Sequence, residues 1–96
     1  MSYTMLKQFH TMLPREAVPA TPQSLKNLKV GDFVKIGVEC ANGRTEKFWL
    51  KVEELGHPIR CTINQDLVLT RYHLLKCNDE IWIQEENING VMKGGL

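Results

Sequence analysis

Polar and apolar residues alternate through the middle of the chain, and a period of two predicts β-strands. The predicted strands are FVKIGVEC (33–40), TEKFWLKVEEL (45–55), IRCTI (59–63), LVLT (67–70) and EIWIQ (80–84). Most of their valine, isoleucine and leucine side chains fall on one face, which is the expected core face of a sheet. Asn42-Gly43 separates the first two segments and predicts a tight hairpin.

The N-terminal residues carry a helical pattern instead. Met5, Phe9, Met12 and Leu13 recur at i, i+4, i+7 and i+8, which places them on one face of a helix. Pro14 would end this helix, because the residue before a proline resists helical geometry. We therefore expect a short amphipathic helix that needs an apolar surface to pack against.

These patterns divide a single domain into four segments. The segments are an N-terminal helix (1–13), a proline-rich connector (14–27), a β domain (28–89) and a flexible tail with three glycines (90–96). The expected fold class is α+β, with an N-terminal helix followed by a curved antiparallel five-stranded sheet, SH3-like or a half-barrel.

A short internal echo links two parts of the β domain. LKVGDFVKI (28–36) and LKCNDEIWI (75–83) both read Leu-Lys-x-(Gly/Asn)-Asp-x-(Val/Ile)-x-Ile. Gly31 and Asn78 tolerate a left-handed backbone, and the aspartate that follows each can accept a hydrogen bond from a nearby amide. The echo predicts two similar turns, each leading into a strand. Cys77 falls in the second turn, in the position that Val30 occupies in the first, and valine cannot bind a metal ion.

Length, charge and cysteine usage narrow the class of protein. The chain has 96 residues, which is the length of one domain. Its net charge of +1 does not indicate the basic surface that is typical of nucleic-acid-binding proteins. No apolar stretch approaches the roughly 20 residues that span a bilayer, and the N-terminus does not read as a secretion signal. Three cysteines without a Cys-x-x-Cys pair argue against a disulfide framework. We expect a cytoplasmic protein with no membrane partner.

Two His-x-x-x-Cys pairs raise the question of a metal site. Residues four apart on a strand are separated by about 13 Å, too far for one zinc ion. His57 with Cys61 and His73 with Cys77 are therefore poorly placed to chelate, and a buried, inert thiol is the favoured interpretation. A cross-strand site of Cys61, Cys77 and one histidine stays open as a zinc- or thiol-dependent alternative.

Catalytic chemistry has little support in the residues. A cysteine paired with His10, His57 or His73 is the only combination of nucleophile and base to consider. No phosphate-binding loop, nucleophile elbow or His-Glu-x-x-His motif is present in the sequence. We expect no enzymatic activity, no catalytic residue, no metal ligand and no cofactor.

The second face of the predicted sheet combines aromatic and cationic side chains. The candidate binding residues on it are Phe33, Lys35, Trp49, Lys51, Arg60 and Trp82. Aromatic and cationic side chains together suit a peptide or stacked bases. In the alternative interpretation, favoured for this face, the N-terminal helix covers Trp49 or Trp82 with its own apolar side chains.

These observations favour a small, non-catalytic binding module whose partner is a protein. A sheet face or an exposed edge strand would make the contact, and a free edge would also allow a homodimer. The alternative is a nucleic-acid-binding module that uses the lysine, arginine and tryptophan residues of the same face. Glutamates on or near that face (Glu39, Glu53, Glu80 and Glu86) dilute its positive charge and count against phosphate binding.

The strand region also resembles a known family. The segments that carry the resemblance are Phe33-Val34-Lys35-Ile36, Glu46-Lys47-Phe48-Trp49-Leu50, Thr62-Ile63-Asn64, Leu75-Lys76-Cys77-Asn78-Asp79-Glu80-Ile81 and Ile88. Over about two thirds of its length the chain is similar to the YegJ-like bacterial domains of unknown function. The resemblance implies a fold and no activity, because that family has no assigned function.

Overall fold

The computed structural model describes residues 2–7, 9 and 11–94, and this part of the chain is built mainly of β-strands. In chain order the elements are β1 (Tyr3–Met5), β2 (Ala17–Pro19), α1 (Pro22–Lys26), β3 (Phe33–Cys40), β4 (Thr45–Glu54), β5 (Ile59–Ile63), α2 (Thr70–His73), β6 (Glu80–Ile83) and β7 (Gly90–Met92), with a 3-10 turn at Glu85–Asn87. The seven strands form one sheet in which every strand pair is antiparallel.

The strand order is β2-β7-β3-β4-β5-β6, and β1 also pairs with β3. β4 pairs along one edge of β3, whereas the opposite edge of β3 pairs with β7 at residues 33–35 and with β1 at residues 38–40. The two strands at the ends of this order are β2 and β6. β2 carries Pro19, which lacks a backbone donor, but β6 has neither proline nor lysine.

The core lies on one face of the sheet because apolar side chains occupy every second position of the central strands. These residues are Val34, Ile36 and Val38 of β3, Phe48, Leu50 and Val52 of β4, Ile59, Cys61 and Ile63 of β5, and Ile81 and Ile83 of β6. Val91 of β7 belongs to the same buried cluster as Ile83, although the two strands lie far apart in the strand order. The sheet therefore curls around its own core.

The predicted N-terminal helix is wrong. Tyr3–Met5 is a strand that pairs with the end of β3, and the amide of Leu6 donates to the Gly37 carbonyl at 3.0 Å. A lone helix of about twelve residues is marginal in water. Hydrogen bonds to a sheet edge and burial of the apolar side chains against the sheet decide the conformation instead.

The predicted five-stranded sheet is also wrong, since the sheet has seven strands. Four predicted strands are present as β3, β4, β5 and β6, with bounds within one residue of the prediction. LVLT at 67–70 is not a strand, because the amides of Val68 and Leu69 bind the Glu46 carboxylate at 2.7 and 2.9 Å. The described residues contain two short helices, so the fold is mostly β rather than α+β.

The segments predicted as connector and tail contain regular structure. The connector holds β2 and α1, and α1 begins at a Thr21 cap whose hydroxyl accepts a hydrogen bond from the Ser24 amide at 3.1 Å. Pro22 follows the cap, where its missing amide hydrogen costs nothing. The tail contributes β7, which pairs with both β2 and β3. Residues 95–96 lie outside the described residues.

The internal echo corresponds to two turns of the same conformation. Gly31 and Asn78 adopt left-handed φ angles of 94° and 76°. The following aspartates, Asp32 and Asp79, accept a hydrogen bond from the amide three residues earlier, at 3.0 and 3.1 Å. Each turn also exchanges two backbone hydrogen bonds with the neighbouring strand, β4 for the first and β5 for the second. The predicted similarity of the two turns is confirmed, and β3 and β6 each follow such a turn.

Candidate functional site

The outer face of the sheet, opposite the core, carries two cross-strand pairs of a cation and a tryptophan. Lys35 of β3 lies opposite Trp49 of β4, with its Nζ atom 5.9 Å from the centroid of the indole ring. Arg60 of β5 lies opposite Trp82 of β6. Four of the six predicted binding residues therefore occur as two neighbouring pairs.

An approximate two-fold axis perpendicular to the sheet relates these two pairs. It passes between β4 and β5 at the Lys51–Thr62 pair, and it exchanges β3 with β6 and β4 with β5. On the outer face it relates Phe33 to Glu80, Lys35 to Trp82, Trp49 to Arg60, and Lys51 to Thr62. The same backbone arrangement thus occurs twice, with the positions of cation and indole exchanged.

The β3–β4 half of the outer face is basic, and neighbouring segments hold its central pair. Lys35 donates from Nζ to the Met12 carbonyl at 3.1 Å, and the Trp49 amide donates to the side-chain oxygen of Gln65 at 3.1 Å. Partial burial, together with repulsion from Lys47, lowers the pKa of Lys35 below its ordinary value. Both members of the pair are only partly exposed.

Two further lysines of β4 complete the basic half. Lys51 is exposed on β4, directly opposite the partly buried Phe33 of β3. Lys47, on the same face of β4, places its ammonium group 5.1 Å from the centroid of the Phe9 ring. Three lysines on this half thus lie beside or opposite aromatic residues.

The β5–β6 half of the outer face is more acidic and more exposed. Trp82 has 51% of its surface exposed. The Arg60 guanidinium binds the Glu54 carboxylate at 3.3 Å and the Glu80 carboxylate at 3.2 Å. The hydrogen bond to Glu54, followed by that to Glu80, raises the pKa of Arg60 above its ordinary value. Together with Glu53, this half carries three carboxylates against one guanidinium.

The backbone of β6 presents hydrogen-bonding groups away from the sheet. Ile63 donates its amide hydrogen to the Asp79 carbonyl at 2.9 Å, which sets the phase of the ladder between β5 and β6. Hydrogen-bonded positions alternate along an antiparallel pair, so Ile81 bonds to β5, whereas the amides and carbonyls of Glu80 and Trp82 point to the opposite side. In the part of the chain that the structure describes, no strand pairs with that side. We call these backbone groups, together with the side chains of Glu80 and Trp82, the β6 edge.

The two tryptophans do not form one patch. They lie two strands and about four residues apart, which is roughly 16 Å in a flat sheet at 3.3 Å per residue and 4.8 Å per strand. The Lys51–Thr62 pair lies between them. The six predicted binding residues are therefore divided between a basic half and an acidic half.

An extended arm, not a helix, covers part of the outer face. Phe9 and Leu6 lie against Gly37 of β3, where a Cβ atom would come within 2.8 Å of the Phe9 ring, and Leu13 lies against Gly90 of β7. In the described residues this arm forms no helix, so the predicted helical cover of Trp49 or Trp82 is wrong, and the arm contacts the sheet at two glycine positions. Met12, another member of the predicted helical stripe, is 88% exposed.

His73 has a structural role in this fold. Its Nδ1 atom accepts a hydrogen bond from the Leu75 amide at 3.0 Å, so the proton of the neutral ring lies on Nε2, which donates to the Glu46 carboxylate at 2.8 Å. The His73 side chain is fully buried, and the Glu46 side chain is 9% exposed. The pair holds the segment between β5 and β6 against β4. Of the other histidines considered for catalysis, His57 is exposed and His10 lies outside the described residues.

The cysteines offer little to the zinc or thiol alternative. Cys61 is buried, and burial, with a smaller contribution from the Glu53 carboxylate, raises its pKa to about 12. All three cysteines are free thiols, and Cys77 is partly exposed in its turn. Within residues 2–7, 9 and 11–94, no group of three or more His, Cys, Asp or Glu side chains could hold a metal ion.

Comparisons with protein-family models, curated proteins and solved structures returned no match to this chain. The resemblance to the YegJ-like domains therefore stays a prediction. None of the helices in the described residues is long and apolar enough to cross a membrane. Fold and site together define a small β-rich domain whose edge strand β6 bears Trp82 and, within the described residues, pairs with β5 alone.

Single-tryptophan variants should separate the two indoles by their exposure. Trp49→Phe leaves Trp82, whose emission we expect to be red-shifted and strongly quenched by acrylamide, because half of its surface is exposed. Trp82→Phe leaves Trp49, which should emit at shorter wavelength and be quenched less. Equal quenching constants for the two variants would contradict the exposures described here.

Proposed function

We propose that this chain is a small cytoplasmic, non-catalytic module that binds a protein partner at the β6 edge. The observation that carries the proposal is the half-exposed indole of Trp82 on an edge strand whose neighbouring backbone groups point away from the sheet. The three free cysteines are in keeping with a reducing compartment.

Two contributions to binding would combine at this edge. An extended segment added to an exposed strand gains main-chain hydrogen bonds, and side-chain contacts supply the specificity. Tryptophan is among the residues that contribute most to binding at interfaces when they become buried there. Trp82 offers such an anchor beside the outward backbone of β6, whereas Trp49 is partly buried and the Lys35 ammonium group lies 5.9 Å from its ring centroid.

A random-peptide library displayed on phage and selected on the purified protein tests the proposal. Trp82→Ala should weaken binding of the selected peptides by about tenfold or more, because truncating an interface anchor costs on the order of 2 kcal/mol. Val68→Ala is the matched control, since it removes an exposed apolar side chain far from β6 along the chain. Peptides that bind the Trp82→Ala variant as tightly as the original protein would refute the proposal.

The nucleic-acid alternative has one specific observation in its favour. Lys35, Lys47 and Lys51 lie near Trp49 on the basic half, where a single strand could stack and neutralise charge. Fluorescence anisotropy of a labelled oligothymidine at two salt concentrations examines it. Steeply salt-dependent binding that is lost in Trp49→Ala and kept in Trp82→Ala would favour nucleic acid over a protein partner.

A further inference from the structure

The two-fold relation within the sheet indicates which kind of segment fits the β6 edge. On β3, the edge opposite β4 pairs antiparallel with β7, in the register Phe33 with Met92, Val34 with Val91 and Lys35 with Gly90. The axis carries this position to the β6 edge, beside Glu80, Ile81 and Trp82. β7 therefore serves as an internal example of a three-residue strand on an equivalent edge.

We propose that the β6 edge takes a three-residue extended segment of the protein partner, antiparallel to β6, with the order small, apolar, basic. This inference rests on the proposed function and specifies the chemistry of the partner. The small residue lies opposite Trp82, the apolar residue opposite Ile81 and the basic residue opposite Glu80. The carbonyl and amide groups of the first and third residues pair with the outward backbone of β6.

The first two positions follow from β7 itself. Gly90 lies opposite Lys35, and its missing side chain leaves room for Leu13 to lie over the strand. A small residue opposite Trp82 would in the same way let the indole lie over the bound segment. Val91 is buried beside Val34 on the core side, and an apolar residue beside Ile81 would extend that core face.

Charge determines the third position. The two-fold axis relates Phe33, which lies beside Met92, to Glu80, so an acidic side chain replaces an aromatic one on the β6 edge. The Glu80 side chain is 52% exposed, and the nearby Glu54 side chain is 62% exposed. Arg60 is shared between these two carboxylates. A lysine or arginine opposite Glu80 would balance the excess negative charge.

A second copy of this chain fits the edge less well. Two β6 strands can pair antiparallel over all three residues of this edge (80–82) only in a register centred on Ile81. In that register each Glu80 faces the partner copy's indole and meets no cation beyond its own Arg60. A basic segment of another protein satisfies the carboxylates, whereas self-pairing leaves their excess charge in place.

Synthetic capped peptides with the sequence Ser-Thr-Gly-Val-Lys-Thr-Ser test the inference against a Gly-Val-Glu counterpart. Binding is followed by the emission of Trp82 in the Trp49→Phe background. We expect the lysine peptide to bind about fivefold to tenfold more tightly, since the exchange removes an exposed ion pair and adds a repulsion. Glu80→Gln should remove this preference, and added salt should reduce it.

Two further variants test the role of the backbone. Glu80→Pro removes an amide hydrogen that the sheet does not use, so the chain should fold, yet binding of both peptides should be lost. Glu80→Ala is its matched control, because it loses the same carboxylate and keeps the amide. If Glu80→Pro fails to fold, a peptide with N-methylglycine in place of glycine provides the second test. This peptide lacks the amide hydrogen opposite Trp82, and its binding should also be lost.

The outcomes separate this inference from the proposed function. Equal affinities for the lysine and glutamate peptides would overturn the predicted basic position. Sedimentation showing dimers of the original chain, and monomers of Glu80→Pro, would assign the edge to a second copy and overturn the inference. Failure of both peptides, while library-selected peptides still depend on Trp82, would overturn the inference alone. Library peptides indifferent to Trp82 would overturn the proposed function.

Discussion

Replacing Glu46 with glutamine is expected to lower the free energy of unfolding by about 3 kcal/mol, because hydrogen bonds to a buried carboxylate are among the stronger ones in proteins. The carboxylate accepts hydrogen bonds from the amides of Val68 and Leu69 and from Nε2 of His73. A glutamine side chain keeps one acceptor oxygen but turns its amide group toward another donor. Urea unfolding followed by tryptophan fluorescence measures the loss.

The pH dependence of this loss follows from the direction of the pKa shift. Burial alone would raise the pKa of Glu46, but hydrogen bonds from the Val68 amide, His73 and the Leu69 amide outweigh it and lower the pKa below the ordinary 4.5. A carboxyl group with a lowered pKa in the folded state stabilises the fold above its unfolded-state pKa. This stabilisation is lost as the pH falls through the folded-state pKa.

The stability of the original chain and of Glu46→Gln should therefore differ most at neutral pH and converge in acid. Glu39→Gln, an exposed site on the neighbouring β3, is the matched control for the loss of one charge and should change stability little. A constant difference between the original chain and Glu46→Gln from pH 7 down to pH 3 would contradict the role of the ionised carboxylate.

The second large effect is a contrast between two aspartates in equivalent turns. Asp32→Ala should cost about 3 kcal/mol and Asp79→Ala about 1 kcal/mol, because a hydrogen bond contributes about 1 kcal/mol and one to a charged group somewhat more. Asp79 accepts one hydrogen bond from the Lys76 amide. Asp32 accepts the equivalent bond from Lys29 and two more from the C-terminal segment.

The additional partners of Asp32 come from the C-terminal segment. The Gly94 amide donates to the carboxylate at 3.0 Å and the Lys93 ammonium group at 3.1 Å. Burial alone would raise the pKa of Asp32, but these bonds and the Lys29 amide lower it, so its contribution is also lost in strong acid. The same unfolding assay compares the two variants, and equal costs would show that the C-terminal contacts of Asp32 contribute nothing.

The carboxylates of Glu46 and Asp32 explain why two parts of the fold could not be predicted from sequence patterns. LVLT has the composition of a strand, yet Glu46, some twenty residues earlier, binds its amides and holds it as a loop before α2. The C-terminal residues look like a loose tail, yet β7 pairs with two strands and Asp32 binds the residues that follow it. Both results depend on contacts between distant residues, which local periodicity does not contain.

The predicted binding face was likewise predictable from the sequence only in part. The alternation in β3, β4 and β6 places Lys35, Trp49 and Trp82 opposite the core, and this part of the prediction agrees with the structure. Their division into two halves depends on strand order and register. The sequence contained one usable signal for the equivalence of β3 and β6, namely the echo between 28–36 and 75–83, which marks two strands that begin in the same way.

Local sequence patterns were sufficient to predict the four central strands, the hairpin at Asn42-Gly43 and the two left-handed turns, because alternation and turn chemistry act over a few residues. The conformation of the N-terminal arm depends instead on contacts with the sheet. Its apolar residues fit a helical stripe equally well, but Phe9 and Leu13 lie on the bare backbone at Gly37 and Gly90. The strand order likewise places β6 at an edge of the sheet, with β5 as its one partner among the described residues, because strand pairing depends on contacts between distant residues that side-chain periodicity does not contain.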